Sequence, residues 1–155
     1  MFAGVKMLRT ERMEALDDID KYISALDDFV RENIRSGMCF DDRYDCRLLL
    51  KFIAIADRYK TLAHESRDSD DRTNAAFYFD SAAGTAHGIR RYRDAAKFYT
   101  SAQKMGTGNA EYYKNDARIV RNLAARERLL EGKRFIGRYL VKRWLKKRDG
   151  RENGK

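Results

Sequence analysis

The side chains that most often carry out chemistry are few in this chain and stand apart. The sequence of 155 residues includes two histidines and two cysteines, which are His64, His87, Cys39 and Cys46. A structural zinc site needs four clustered cysteine or histidine ligands, and an enzyme needs a nucleophile beside a base or paired carboxylates in a cleft. The sequence contains neither pattern. We therefore expect no metal, no organic cofactor and no catalytic residues.

One pair of residues has a spacing that could act on a phosphate group. Arg58 and His64 stand six residues apart in RYKTLAH, a spacing similar to that of the Arg/His pair in small helical ribonucleases of the HEPN class. This resemblance would make His64 the general acid or base and Arg58 the phosphate ligand. Six residues of α-helix, however, separate two side chains by about 120° around the axis. We therefore expect that the two residues do not form a catalytic pair.

Helices are the only elements that the sequence predicts for positioning these residues. Proline is absent, glycine occurs 10 times, and alanine, leucine and charged residues dominate, a composition that is typical of helical proteins. No stretch alternates apolar and polar residues with β-branched enrichment for more than a few positions. We predict an all-α fold of antiparallel helical hairpins, about six helices in all.

The spacing of apolar residues and capping candidates gives approximate helix boundaries. Thr10 is the predicted N-cap of the first helix and Gly37 its C-terminal stop. Gly132 permits a break before the last segment, KRFIGRYLVKRWLKKR. The first predicted helix covers about residues 11–36, and the second runs from Asp41 or Asp42 to the polar turn ESRDSDD. Ser69, Asp70 and Asp71 of this turn can cap the third helix. The remaining predicted helices cover about residues 72–87, 90–105, 109–131 and the final segment.

Small and large side chains interleave in the third and fourth helices. Residues three and four apart share one face of a helix, and alanine on such a face lets a neighbouring backbone approach closely. The pattern therefore predicts a tight helical hairpin. The residues of this pattern are Phe79, Ala82, Ala83 and Ala86 in the third helix and Tyr92, Ala95, Tyr99 and Ala102 in the fourth.

These offsets resemble the tetratricopeptide repeat (TPR), a 34-residue unit of two antiparallel helices. The resemblance covers about residues 76–109, and a step of 34 residues from Phe79 reaches Tyr113, at the start of a similar helix. It implies a TPR-like bundle or short solenoid with a groove for a segment of a partner protein. A plain helix bundle that uses alanine for close packing is the alternative. The groove candidates are Tyr78, Lys97, Lys104, Tyr112 and Lys114.

The positive charge of the chain is concentrated at its C-terminal end. The chain has 33 Lys and Arg residues and 24 Asp and Glu residues, a net charge of +9. The net charge is −1 for residues 1–117 and +10 for residues 118–155. We divide the chain into a helical TPR-like bundle, 1–131, and a basic C-terminal helix and tail, 132–155. The residues predicted to contact an anionic partner are Arg134, Arg138, Lys142, Arg143, Trp144, Lys146, Lys147 and Arg148.

Apolar side chains are interleaved with these cations. A helical projection places most of them on one broad arc, with Val141 and Leu145 outside it. Such a helix could contact the phosphates of nucleic acid, lie on an anionic membrane, insert into the groove of a protein, or cap the bundle with its apolar side inward. The residues of the arc are Phe135, Ile136, Tyr139, Leu140 and Trp144.

We predict a non-enzymatic interaction or adaptor protein. It would bind a protein partner through the helical bundle and contact an anionic partner through its basic end. Nucleic-acid binding through the basic segment is the alternative function, and an anionic membrane surface is the third choice of partner. The N-terminal residues lack the apolar run of a signal peptide, and no stretch approaches the ~20 apolar residues of a membrane span. We therefore expect a cytoplasmic protein.

Overall fold

Helices form all of the secondary structure in the described residues. A computed structural model of the protein describes residues 7–37 and 42–152, with side chains described within residues 7–37 and 43–147. The prediction of an all-α protein is confirmed for these residues. The helices are α1 Arg9–Arg35, α2 Asp42–Ser66, α3 Ser69–Gly88, α4 Tyr92–Lys104 and α5 Ala110–Glu152.

The described ranges contain five helices, and the prediction of about six is wrong because its last two helices are one. Gly132 lies inside α5, which continues through it. A single glycine in a helix costs only about 1 kcal/mol relative to alanine, whereas a separate helix would need a new nucleus. No proline stands nearby to stop the helix. Continuation of the helix is therefore the favoured outcome.

Contacts between Cα atoms divide the chain into two compact units, Met1–Arg121 and Asn122–Lys155. We call them the N-terminal unit and the C-terminal unit. The N-terminal unit holds α1–α4 and the first residues of α5, and the C-terminal unit holds the rest of α5. The boundary predicted between residues 131 and 132 came from the break that Gly132 permits, and it stays a prediction.

The ends of α1 are set by Glu11 and Gly37. Thr10 was predicted as the N-cap, but it lies inside the helix, which begins at Arg9. The Glu11 carboxylate accepts a hydrogen bond from the Leu8 N–H at 3.0 Å, so it holds the residue before the helix, and no side chain of the N-cap residue Leu8 caps the first turn. At the other end, Gly37 has a φ of +70°, a conformation that glycine adopts without strain. The predicted stop at Gly37 is confirmed, whereas Asp41, a predicted cap of the second helix, lies outside the described residues.

The N-cap of α3 is Asp68 rather than one of the three predicted residues. Its Oδ1 accepts a hydrogen bond from the Asp70 N–H at 2.8 Å, which satisfies a donor that the helix leaves unpaired. Ser69 and Asp70 lie in the first turn, and Asp71 is turned inward. The polar turn therefore has two functions, since one aspartate caps the helix and another enters the protein interior.

Alanines form most of the buried contact between α3 and α4. Ala82, Ala83 and Ala86 of α3 and Ala95 and Ala102 of α4 are all 0% exposed. They belong to one buried cluster, in which the larger side chains are aromatic or aliphatic. Small side chains allow two helices to approach closely, and rings fill the wider gaps beside them. The predicted tight hairpin is present. The larger buried members of the cluster are Leu49, Phe79, Tyr99, Tyr113 and Val120.

A second buried cluster joins α1 to α2. Ile19 and Leu26 of α1 pack with Ile55, Tyr59 and Leu62 of α2, and all five are at most 6% exposed. Their spacing of three, four and seven residues gives each helix one apolar stripe. α1 is therefore held mainly by a narrow line of side chains on one face.

An ion pair connects the beginnings of α1 and α3. Arg12 donates two hydrogen bonds to the Asp71 carboxylate, at 2.9 and 3.0 Å, and the Ser66 hydroxyl donates a third at 2.7 Å. Burial by itself raises the pKa of Asp71, but the hydrogen bonds from Arg12 and Ser66 and the charge of Arg12 together lower it. The carboxylate is 1% exposed and is charged at neutral pH. This pair fixes α1 against residues 59 positions away.

We predict that Ala95→Leu destabilises the N-terminal unit by about 1–3 kcal/mol, because the added volume overpacks the contact with α3. Thermal or urea denaturation measures the change. Ala25→Leu makes the same substitution at an exposed position of α1 and should change stability little. Equal stability of the two variants would contradict the close contact.

We predict that Arg12→Met lowers the free energy of unfolding at pH 7 by about 3 kcal/mol, since it leaves a buried carboxylate unpaired. Arg31→Met, at an exposed position of the same helix, is the control for urea denaturation.

Because the folded-state pKa of Asp71 lies below the unfolded value, the contribution of Asp71 to the free energy of unfolding is complete above the unfolded pKa. The contribution is lost as the pH falls through the folded pKa. Asp71→Asn should therefore be less sensitive to acid than the parent, and equal acid sensitivity would argue against this role for the pair.

Candidate functional site

The C-terminal part of α5 presents cations and apolar side chains to solvent. Every described side chain from residue 128 to residue 147 is exposed. Residues 133–147 comprise seven Lys or Arg residues, seven apolar or aromatic residues and one glycine, with no carboxylate. The exposed fractions of the seven apolar residues run from 37% for Leu145 to 74% for Phe135. Large exposed apolar groups in such number indicate an interaction surface.

Two stripes of residues lie on opposite sides of this helical segment. Ile136, Leu140 and Trp144 follow one another at steps of four and form the apolar stripe. The second stripe is offset from it by two residues, which is about 200° around a helix. The second stripe extends over twelve residue steps, about 18 Å of helix. The members of this cationic stripe are Arg134, Arg138, Lys142 and Lys146.

The segregation of the two residue types is incomplete. Lys133, Arg143 and Lys147 lie at helical positions next to the apolar stripe, and Phe135 and Leu145 lie among the cations. Long Lys and Arg side chains can extend along an apolar surface while their charged ends stay in water. The segment can therefore offer an apolar surface and positive charge to the same partner.

The residues predicted to contact an anionic partner lie together on this segment. Arg134, Arg138, Lys142, Arg143, Lys146 and Lys147 are exposed, and Trp144 is 61% exposed. The side chain of Arg148 lies outside the described residues. The composition and charge of the sequence identified these residues, and the structure places residues 133–147 in one helix, as the projection assumed.

The five groove candidates fall into different environments. Tyr78 is partly buried and stacks on Tyr59 of α2, with ring centroids 5.7 Å apart. Lys97 and Lys104 are exposed on α4, Tyr112 is 63% exposed on α5, and Lys114 pairs with Glu111 of its own helix at 3.7 Å. One of the five therefore packs in the interior, and a single groove lined by all of them stays a prediction.

The residues of the phosphate-acting pattern are not brought together. The Arg58 guanidinium lies over the Tyr22 ring of α1 at 3.6 Å and donates to the Tyr22 hydroxyl and the Ala54 carbonyl. His64 instead lines a cleft of about 680 Å³ beside the end of α4. The two side chains thus lie in different surroundings, as their positions around the helix predicted. The lining of the cleft includes Asp57, Lys60, Arg72, Lys104 and Met105.

A group of ionisable residues that the sequence reasoning missed lies between α3, α4 and α5. Burial is the main cause of the raised pKa of Asp80, and the charge of the nearby Asp116 raises this pKa further. Burial also raises the pKa of Tyr99 to about 12, with smaller effects from Asp116 and Asp80. Each aspartate is the chain neighbour of a buried residue, Phe79 or Ala117. That adjacency was the only local signal, because the approach of the two carboxylates depends on the fold.

Metal sites and membrane spans are not found in the part of the chain that the structure describes. Within residues 7–37 and 42–152, no group of three or more His, Cys, Asp or Glu side chains could hold a metal ion. Over the same ranges, none of the helices combines the length and apolar character needed to cross a bilayer.

Known proteins give no further assignment, since no protein-family model, no curated protein and no solved structure matches the chain. The tetratricopeptide resemblance therefore rests on the residue pattern alone and stays a prediction. The site has to be interpreted from its own chemistry.

We predict that Asp80→Asn raises the melting temperature at pH 7. The folded-state pKa of Asp80 lies above the unfolded value, so the folded protein loses stability as the pH rises from the unfolded pKa to the folded pKa. Asparagine removes this cost, and the difference from the parent should vanish once the pH is below the unfolded pKa. Asp17→Asn, at an exposed position, is the control. A lower melting temperature for Asp80→Asn at pH 7 would show that the charged carboxylate is favourable.

Proposed function

We propose that the protein is a non-enzymatic adaptor that binds an anionic partner through the C-terminal part of α5. The observation that carries this proposal is the exposure of seven cations and seven apolar side chains within residues 133–147. No carboxylate in that stretch offsets the positive charge. A neutral or basic partner would leave these charges uncompensated, whereas an anionic partner gains from all of them.

The N-terminal unit would supply the second partner site of the adaptor. We propose a TPR-like stack of helical hairpins that receives a segment of a protein. The close α3–α4 packing through Ala82, Ala83 and Ala95 supports this proposal, because such hairpins are the unit of a helical repeat. The exposed candidates Lys97, Lys104, Tyr112 and Lys114 would lie on the binding surface.

A non-enzymatic role is proposed from the environment of the candidate catalytic residues. Arg58 is engaged by Tyr22, and His64 lies in a different place, at the cleft beside α4. We place the protein in the cytoplasm, as the sequence predicted.

Nucleic acid is the second candidate for the anionic partner. Tyr139 and Trp144 are 56% and 61% exposed and stand among the cations. Exposed rings beside cations can stack on bases while Lys and Arg contact phosphates. The alternative function predicted from the sequence therefore stays a proposal.

We predict that replacing Lys142, Arg143, Lys146 and Lys147 together by glutamine weakens binding to anionic probes. The probes are duplex DNA and vesicles that contain phosphatidylserine, each titrated at several salt concentrations. For the parent on DNA, the log–log salt slope should be near −0.9 for each phosphate neutralised, and the variant should have a flatter slope. The matched control removes the same charge from α1, by glutamine at Arg9, Lys21, Arg31 and Arg35, which are all exposed.

The control variant should bind as the parent does. If the C-terminal variant binds both probes as tightly as the parent, with the same salt slope, the segment is not the binding element. Circular dichroism of each variant checks that the helices are retained.

A further inference from the structure

We infer that the anionic partner is the surface of a membrane that contains anionic lipid, on which residues 133–147 of α5 lie parallel to the bilayer. The inference rests on the proposed function, because it names the partner of the same segment. Two properties of the segment carry it, the number of exposed aliphatic side chains and their position relative to the cations.

The cations account for attraction to the surface of an anionic bilayer. Such a surface attracts each nearby Lys or Arg, and the attraction falls off within a Debye length. The cationic stripe defined above is a row of four such residues that extends about 18 Å along the helix and winds slowly around its axis. Lys133, Arg143 and Lys147 add three charges beside the apolar stripe, where their long side chains can reach the lipid headgroups.

The aliphatic side chains favour lipid over nucleic acid. Ile136, Leu140, Val141 and Leu145 are 37–58% exposed, and they can neither pair with a phosphate nor stack on a base. A membrane interface removes apolar area from water and accommodates the side chains of the apolar stripe, Ile136 and Leu140 among them, below the headgroups. Lipid therefore uses every residue type in the segment, whereas nucleic acid uses the cations and the rings alone.

The rings fit the same location. Trp and Tyr are enriched at the boundary between headgroups and acyl chains, because each has an apolar body and a polar group. Trp144 belongs to the apolar stripe, and Tyr139 lies beside it on the helix. With the helix axis in the plane of the interface, both rings would reach this boundary.

A second copy of the chain is a poorer partner for the apolar stripe. A coiled coil needs apolar residues at alternating steps of three and four. The line of this spacing that passes through Ile136 and Leu140 includes cations at three of its five positions, which would face the like charges of the other copy. Those five positions are Lys133, Ile136, Leu140, Arg143 and Lys147.

The single tryptophan of the chain makes the inference directly testable. Trp144 is the only tryptophan, so its fluorescence reports on the segment alone. Vesicles of phosphatidylcholine mixed with phosphatidylserine should shift its emission to the blue and should carry the full chain in a flotation assay. Vesicles of phosphatidylcholine alone should do neither at physiological salt.

Two variants separate lipid binding from binding to any polyanion. Ile136→Ser with Leu140→Ser keeps every charge and the reporter, and should lower vesicle affinity about tenfold or more while leaving duplex DNA affinity unchanged. Ile34→Ser with Leu50→Ser is the matched control, since both residues are exposed and lie in the N-terminal unit. Glutamine at Lys133, Arg143 and Lys147, which lie beside the apolar stripe, should lower vesicle affinity about fivefold for each cation removed.

The outcomes distinguish the inference from the function on which it rests. If the parent binds DNA but shows neither a blue shift nor flotation with anionic vesicles, the inference is wrong and the anionic-partner function stands. If the serine variant floats as well as the parent, the aliphatic side chains are not used and the inference is again wrong. If the parent binds neither probe, both proposals fail.

Discussion

The position of α3 between α2 and α4 depends on the methyl side chains of its buried alanines. Five of its seven buried residues are alanine, and Ala75 and Ala82 are among those that are completely buried. Small residues permit close approach, and the dispersion contacts of closely packed atoms are individually weak but numerous. A larger residue in place of one of these alanines would overpack the contact with the neighbouring helix. The small size of the buried side chains of α3 therefore determines how closely α2 and α4 approach it.

This constraint explains which parts of the fold could be predicted from the sequence. The alternation of Ala95 and Tyr99 with their helical neighbours is a local pattern, so it predicted the α3–α4 hairpin. The ion pair of Arg12 with Asp71 joins residues 59 positions apart, and no local pattern distinguishes Asp71 from a helix cap. The proximity of Asp80 to Asp116 was missed for the same reason. Local propensity identifies elements and their ends, whereas buried charge depends on which elements meet.

For the candidate site, unlike the buried ion pair, the residues themselves could be predicted from the sequence. Its residues could be identified from composition alone, because net charge is a property of the sequence and needs no fold. Their geometry was predicted only in part, since a helical projection places the apolar arc but the exposure of every described side chain from residue 128 to residue 147 depends on the fold. The resemblance of residues 76–109 to a repeat family stays a prediction, and it gave no information on the C-terminal segment.

The narrow attachment of α1 has a consequence for motion. This helix has 27 residues but only two fully buried side chains, Ile19 and Leu26, whereas the shorter α3 has seven. Parts of a protein with few buried contacts open at a lower free energy than its core. Backbone amides of α1 should thus exchange with solvent before those of α3, through an opening that leaves the alanine core intact. The Arg12–Asp71 pair opposes this partial opening at the first turn of α1. Acid favours the opening, because protonation of the Asp71 carboxylate breaks the pair.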